Sequence, residues 1–388
     1  MEPSALIGWI AALLATGVIL YNIGFRSGYR VGFHQSKPEH NPAAYYRGLG
    51  FLLADEPDRA IEELIKELRI NSETVEIHLS LGNLFRDRGE VGRAIRIHQN
   101  IIARPQLEQD VQAAALFALG EDYRQGGFLD RAVETYRRVL KIDPEHRKAL
   151  SGLLSLHESE GRWDRALRAL VRLEKAGHPA DPRRSAHLHV KIAQESQRQG
   201  DERAAEKLFE KAIRIFPGCV EAHRLLGESM LAQDRNRAAV KRFTALQKAR
   251  PSHFFLLVEP LQQACERRND AAGFEKRVVR ALEAPTASAQ LFVQWSAILE
   301  SQSRWESAAE VLKKGLENHP KSAELAWRLT RALSQLERWE EATNAGHDCL
   351  QQLALGHHNF QCAQCGFKSH DIYWKCPQCH RWDMMEPI

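Results

Sequence analysis

The chain has 388 residues, 44% of them hydrophobic, with 54 Lys plus Arg against 50 Asp plus Glu. That much apolar side chain buries a sizeable core and excludes a disordered tail, and a net charge of +4 gives no electrostatic ground for binding nucleic acid. Of seven cysteines four fall in the last 27 residues and Cys219, Cys265 and Cys349 are scattered, a distribution that argues against a secreted disulfide scaffold and for metal binding.

In chain order, the first predicted element is a transmembrane helix within residues 1–25. The 21 residues from Ala5 to Phe25 carry no charged side chain, and at helical rise they cover about 30 Å, the thickness of a bilayer's hydrocarbon core. The start lacks a positive n-region and no clear Ala-x-Ala site follows, so the segment stays attached. Arg26, Arg30, Lys37 and Arg47 follow it and no Lys or Arg precedes it, which keeps the bulk of the chain cytoplasmic. Residues 26–40 read as a basic juxtamembrane linker.

From about residue 41 to 356 the sequence repeats with a period of about 34. One unit runs Leu119-Gly120, Tyr123, Ala132, Tyr136, Val139, Pro144; another runs Leu226-Gly227, Met230, Ala239, Phe243, Leu246, Pro251. Small residues let two antiparallel helices approach, while aromatic residues fill the groove to the next pair. The pattern resembles the tetratricopeptide repeat and predicts an all-α, right-handed solenoid of about nine helical pairs. They begin near Asn41, Val75, Ala113, Arg147, Ala186, Val220, Phe254, Ala289 and Ala323, the first atypical and the seventh weak. Such a solenoid offers a concave face of first-helix residues, here Asn83, Arg86, Glu121, Arg124, Gln194, Arg198, Arg224, Glu228, Trp327 and Arg331. Polar and mixed in sign, they suit a protein or peptide partner better than a polyanion.

Residues 357–388 hold two CxxC knuckles, Cys362/Cys365 and Cys376/Cys379, ten residues apart. Four thiolates at this spacing predict a small tetrahedral site for one iron or zinc ion. Gly366 supplies permissive backbone, and Phe367, Tyr373, Trp374 and Trp382 supply aromatic cover. The module is similar to rubredoxin and equally to a zinc ribbon, and a structural or docking role is favoured over electron transfer. His357, His358, His370 and His380 are surplus to a filled four-sulfur shell.

One span, the repeats and the knuckle domain in this order resemble the lipopolysaccharide assembly protein B family. Tyr46-Arg-Gly-Leu-Gly-Phe-Leu-Leu-Ala-Asp-Glu-Pro-Asp-Arg-Ala60 and Tyr373-Trp-x-Cys-Pro-x-Cys379 with Trp382 carry the resemblance most specifically. It implies a single-pass inner-membrane adaptor with a periplasmic N-terminus. Such an adaptor promotes degradation of the deacetylase LpxC by the membrane protease FtsH, alongside other lipopolysaccharide assembly proteins. An assembly scaffold without a proteolytic role, or a redox component, remain as alternatives. No P-loop, HExxH, GxSxG or dinucleotide fingerprint appears, so no enzymatic activity is expected.

Overall fold

A computed structural model of the chain describes residues 72–104, 107–179, 181–353 and 359–388, with a few isolated positions before them. The expected span, the linker and nearly all of the pair beginning near Asn41 lie outside the described residues, as do His357 and His358. Among the described residues no helix is long and apolar enough to cross a membrane. Residues 1–77 and 78–388 form separate units. In the first, Arg47 pairs with Glu63 at 2.9 Å.

The described residues hold sixteen α-helices in eight successive hairpins. The first four hairpins are α1 (Ser72–Asp87) with α2 (Val91–Ile102), α3 (Gln109–Gln125) with α4 (Leu129–Ile142), α5 (Arg147–Ser159) with α6 (Trp163–Lys175), and α7 (Pro182–Arg198) with α8 (Glu202–Ile215). The others are α9 (Val220–Ala232) with α10 (Asn236–Ala249), α11 (Val258–Glu266) with α12 (Ala271–Leu282), α13 (Ala289–Ser301) with α14 (Trp305–Asn318), and α15 (Ala323–Gln335) with α16 (Trp339–Leu353). The seventh expected unit departs from regular form: a 3-10 helix, Pro251–Leu257, precedes α11, which is only nine residues long. Pro251 opens the first of these segments and Pro260 falls in the first turn of the second, where a missing N–H costs nothing.

Local chemistry explains the hairpins. In α4, Ala132, Val133, Tyr136, Val139 and Leu140 form one buried stripe at helical period, with Asp130 in the first turn and Lys141 in the last, where the helix dipole favours each. Gly227 touches the Phe243 ring so closely that a Cβ there would lie 2.1 Å from a ring carbon, and at Gly120 it would lie 2.6 Å from Tyr136. These aromatics fix the helix-to-helix approach. Gly227→Ala is therefore expected to lower stability by about 1–3 kcal/mol through overpacking, a loss checked by thermal unfolding.

At the C-terminus three short strands form an antiparallel sheet ordered β2-β1-β3: β1 (Phe360–Cys362), β2 (Lys368–Ser369) and β3 (Met385–Pro387). This small domain packs back onto the middle of the solenoid, so that Phe360, Cys362, Cys376 and Met385 share one apolar core with α7 to α16.

Candidate metal centre and its seam with the repeats

The two knuckles are built alike. Gly366 N–H donates to the Cys362 carbonyl and His380 N–H to the Cys376 carbonyl, each at 2.9 Å. Cys362 N–H then reaches Phe367 O at 2.8 Å, and Cys376 N–H reaches Arg381 O at 2.9 Å. Gly366 and His380 both close their turns with positive φ, 76° and 56°; glycine adopts this freely, and histidine adopts it here because the paired hydrogen bonds fix the turn. His370 and His380 are exposed.

The geometry brings all four sulfurs together. Cys362 Sγ lies 3.7 Å from Cys379 Sγ and Cys365 Sγ lies 3.7 Å from Cys376 Sγ, with all four within 4.8 Å of one another. A tetrahedral ion with metal–sulfur bonds of about 2.3 Å has sulfur–sulfur edges of roughly 3.8 Å, so the donor set fits zinc or iron. Burial opposes ionisation of Cys376, yet backbone N–H groups of Cys379 and Gln378 bring its thiol down to about 7. The Phe367 amide favours the Cys365 thiolate, but burial and the neighbouring sulfurs outweigh it and push that thiol up to about 12. Four thiolates this close need a central cation to ionise together.

The docking of this domain on the repeats is a finding of the structure that the sequence did not predict. Trp382 stacks on His187 of α7 with ring centroids 5.2 Å apart, and Trp374 lies 6.0 Å from the same ring. Phe360 stacks on Phe255 at 6.2 Å. Asp383 pairs with Arg250 at 2.7 Å, Glu386 accepts from Arg250 at 2.8 Å, and Lys375 pairs with Glu158 at 2.9 Å. The Met385 carbonyl meets His253 Nε2 at 2.9 Å. Trp374 and Trp382 thus face the repeats as well as covering the knuckles.

His187 is wholly buried between two carboxylates, Glu221 at 3.2 Å from Nδ1 and Asp383 at 3.9 Å from Nε2, with Cys219 Sγ at 4.0 Å. Burial alone would lower its pKa; the Cys219 sulfur and the two carboxylates outweigh that and hold it well above the ordinary histidine value. Glu221 and Asp383 are likewise held below the ordinary carboxylate range despite burial, the first by His187 and Lys191 and the second by His187 and Arg250. The signs set a pH window. The contribution of His187 is complete below about 6.5 and is lost as pH rises through its raised value, whereas that of the carboxylates is complete above about 4 and is lost as pH falls through their lowered values. The difference in unfolding temperature between the unmodified chain and His187→Gln should therefore be largest in mildly acidic solution and shrink toward alkaline pH.

With both parts of the site in view, comparison with known proteins is direct. Residues 360–387 match the rubredoxin metal binding domain family, and residues 117–182 and 197–254 match tetratricopeptide repeat families. Lipopolysaccharide assembly protein B of Escherichia coli K12 is 28% identical over 94% of this chain and 95% of its own length. The chain is thus similar to lipopolysaccharide assembly protein B along nearly its whole length. The protein of that name from Haemophilus influenzae is 25% identical over 95% of this chain and 97% of its own. Among solved structures, a tetratricopeptide repeat protein from Parabacteroides merdae is 18% identical, covers 68% of this chain and 100% of its own, and gives a TM-score of 0.32.

The expected groove residues are largely engaged with their own neighbours. Arg86 pairs with buried Asp122 at 3.3 Å, and Asp122 also holds the buried His98. Glu121 takes hydrogen bonds from Arg124 and Tyr136, and burial with this carboxylate beside it pushes the Tyr136 phenol up. Gln194 donates to Glu221, Arg198 pairs with Glu195, and Arg224 with Glu228. Asn83 is half-buried on α1. Trp327 and Arg331 are both about half exposed, the guanidinium 6.0 Å from the ring centre. Cys219, Cys265 and Cys349 are buried.

Proposed function

We propose that this chain is a membrane-anchored, non-enzymatic adaptor that regulates lipopolysaccharide biosynthesis by bringing the deacetylase LpxC to the membrane protease FtsH. In this reading residues 1–25 anchor it in the inner membrane, 26–40 link the anchor to a cytoplasmic solenoid over 41–356, and 357–388 form a metal-stabilised docking domain. Cys362, Cys365, Cys376 and Cys379 hold one zinc or iron ion, whose contribution is structural. Asn83, Arg86, Glu121, Arg124, Gln194, Arg198, Arg224 and Glu228 lie on the partner-facing side of the repeats.

The observation that carries the reading is similarity to proteins named for lipopolysaccharide assembly along 94% of the chain, with the repeats and the knuckles both included. Physics supports the adaptor class: mixed-sign first-helix residues already paired within the fold present a preorganised polar surface of the kind that recognises protein segments. The test is the half-life of the deacetylase after the chain is depleted. Marked lengthening is expected. An unchanged half-life would remove the proteolytic role and leave an assembly scaffold as the better reading.

A further inference from the structure

The segment that docks on the solenoid is the same segment that closes the metal knuckles. In β3, Met385 is the register partner of Cys362, and Ala363 N–H donates to Met384 O at 2.8 Å. On the other side Cys376 N–H donates to Arg381 O at 2.9 Å, Lys375 bridges to Trp382, and Asp383 N–H donates to Trp374 O at 2.6 Å. Residues 381–387 are thus held by one knuckle at each end. Trp382, Asp383, Met385 and Glu386 of that segment meet His187, Arg250 and His253.

Among the described residues the small domain's own sheet is too short to impose this shape alone. Its strands are three, two and three residues long, below what holds a sheet together in water. The four sulfurs, within 4.8 Å of one another, can be cross-linked by one ion, and in such modules metal-binding energy is folding energy.

We propose that the metal site is a latch. With the thiolates ligated, residues 381–387 keep the shape that docks on α7, on Arg250 and on the 3-10 turn. With the metal removed the segment loses that shape and the domain leaves the solenoid, baring His187, Arg250, His253 and Phe255. The inference rests on the reading of the four cysteines as a metal site, and it adds that metal occupancy controls which face of the repeats is open to partners. Coupling of this kind is reciprocal: if metal strengthens docking, docking strengthens metal binding by the same factor.

Two measurements on the full chain in detergent micelles test it. Hydrogen exchange is compared between metal-loaded protein and protein stripped by a chelator, with metal content determined on the same samples. Peptides covering 182–187 and 250–257 should exchange at least about tenfold faster after stripping, within the range of ordinary site-to-site coupling, while α3 and α4 do not change. In the second, zinc-loaded Arg250→Ala, which removes a solenoid contact and no thiolate, should bind zinc about 5–150-fold more weakly in competition with a chromogenic chelator. Protein that holds one ion but shows unchanged seam exchange on stripping, or Arg250→Ala that holds zinc as tightly as the unmodified chain, would overturn the latch and leave the metal site standing. Protein that takes up no metal at all would remove both.

Discussion

Replacing Cys362 or Cys376 with Ser should reduce bound metal from one ion per chain to background. The two residues belong to different knuckles, and each contributes a sulfur 3.7 Å from a partner in the other knuckle, so either substitution opens one vertex of the tetrahedron. Structural zinc sites contribute about 10–16 kcal/mol of apparent binding energy to modules of this size, and a hydroxyl in place of a thiolate forfeits a large share of it. Cys219, Cys265 and Cys349 supply internal controls, since all three are buried among helices and none lies in the four-sulfur group. Elemental analysis of the purified variants checks the result; retention of one tightly held ion by both single variants would refute the four-thiolate assignment.

The second large effect is expected at the seam. Arg250 has a side chain only 10% exposed and Asp383 only 2%. Burial opposes the charge on Arg250, but Asp383 and Glu386 raise its pKa above the ordinary value, so the pair is ionised in place. Arg250→Ala leaves a buried carboxylate with His187 as its remaining neighbour across the seam, and breaking a buried pair from one side costs about 3–5 kcal/mol. The double variant Arg250→Ala/Asp383→Ala should lose less than the sum of the two single losses, because the second substitution removes the stranded charge. Urea unfolding of the four proteins measures both quantities, and strictly additive losses would show that the pair is not coupled.

The repeats could be read from sequence because their chemistry is local and periodic. The units expected at Arg147, Val220, Ala289 and Ala323 begin at α5, α9, α13 and α15 to the residue. Expectations at Ala113 and Ala186 miss the extra turn that Gln109 and Pro182 add before the first packed alanine. Near Phe254 two prolines split one expected helix into a 3-10 turn and a short α-helix, an outcome set by backbone sterics rather than by apolar period. The knuckles were visible because two short turns carry all four clustered cysteines.

The seam was not visible, since it joins residues as much as 217 positions apart and no local pattern encodes such contacts. One signal was available. Glu221 follows His187 by 34 positions, one repeat along, which places an acid and a histidine at equivalent sites on neighbouring first helices. Trp382 is assigned from sequence only to aromatic cover and Asp383 to no role, although a tryptophan and an acid just past the last cysteine exceed what 32 residues can bury alone.

In the proposed mechanism, anchor and client-binding surface act within one molecule. Tethering two sites raises their effective concentration to the order of mM without any new contact, so a chain beginning at about Lys37 should fold and bind the proposed client yet fail to shorten its life at normal expression. The most direct measurement is the half-life of the deacetylase in cells carrying the full-length or the span-deleted chain at matched low expression. A tethered adaptor gives a short half-life with the first and a long one with the second; equal half-lives would rule it out.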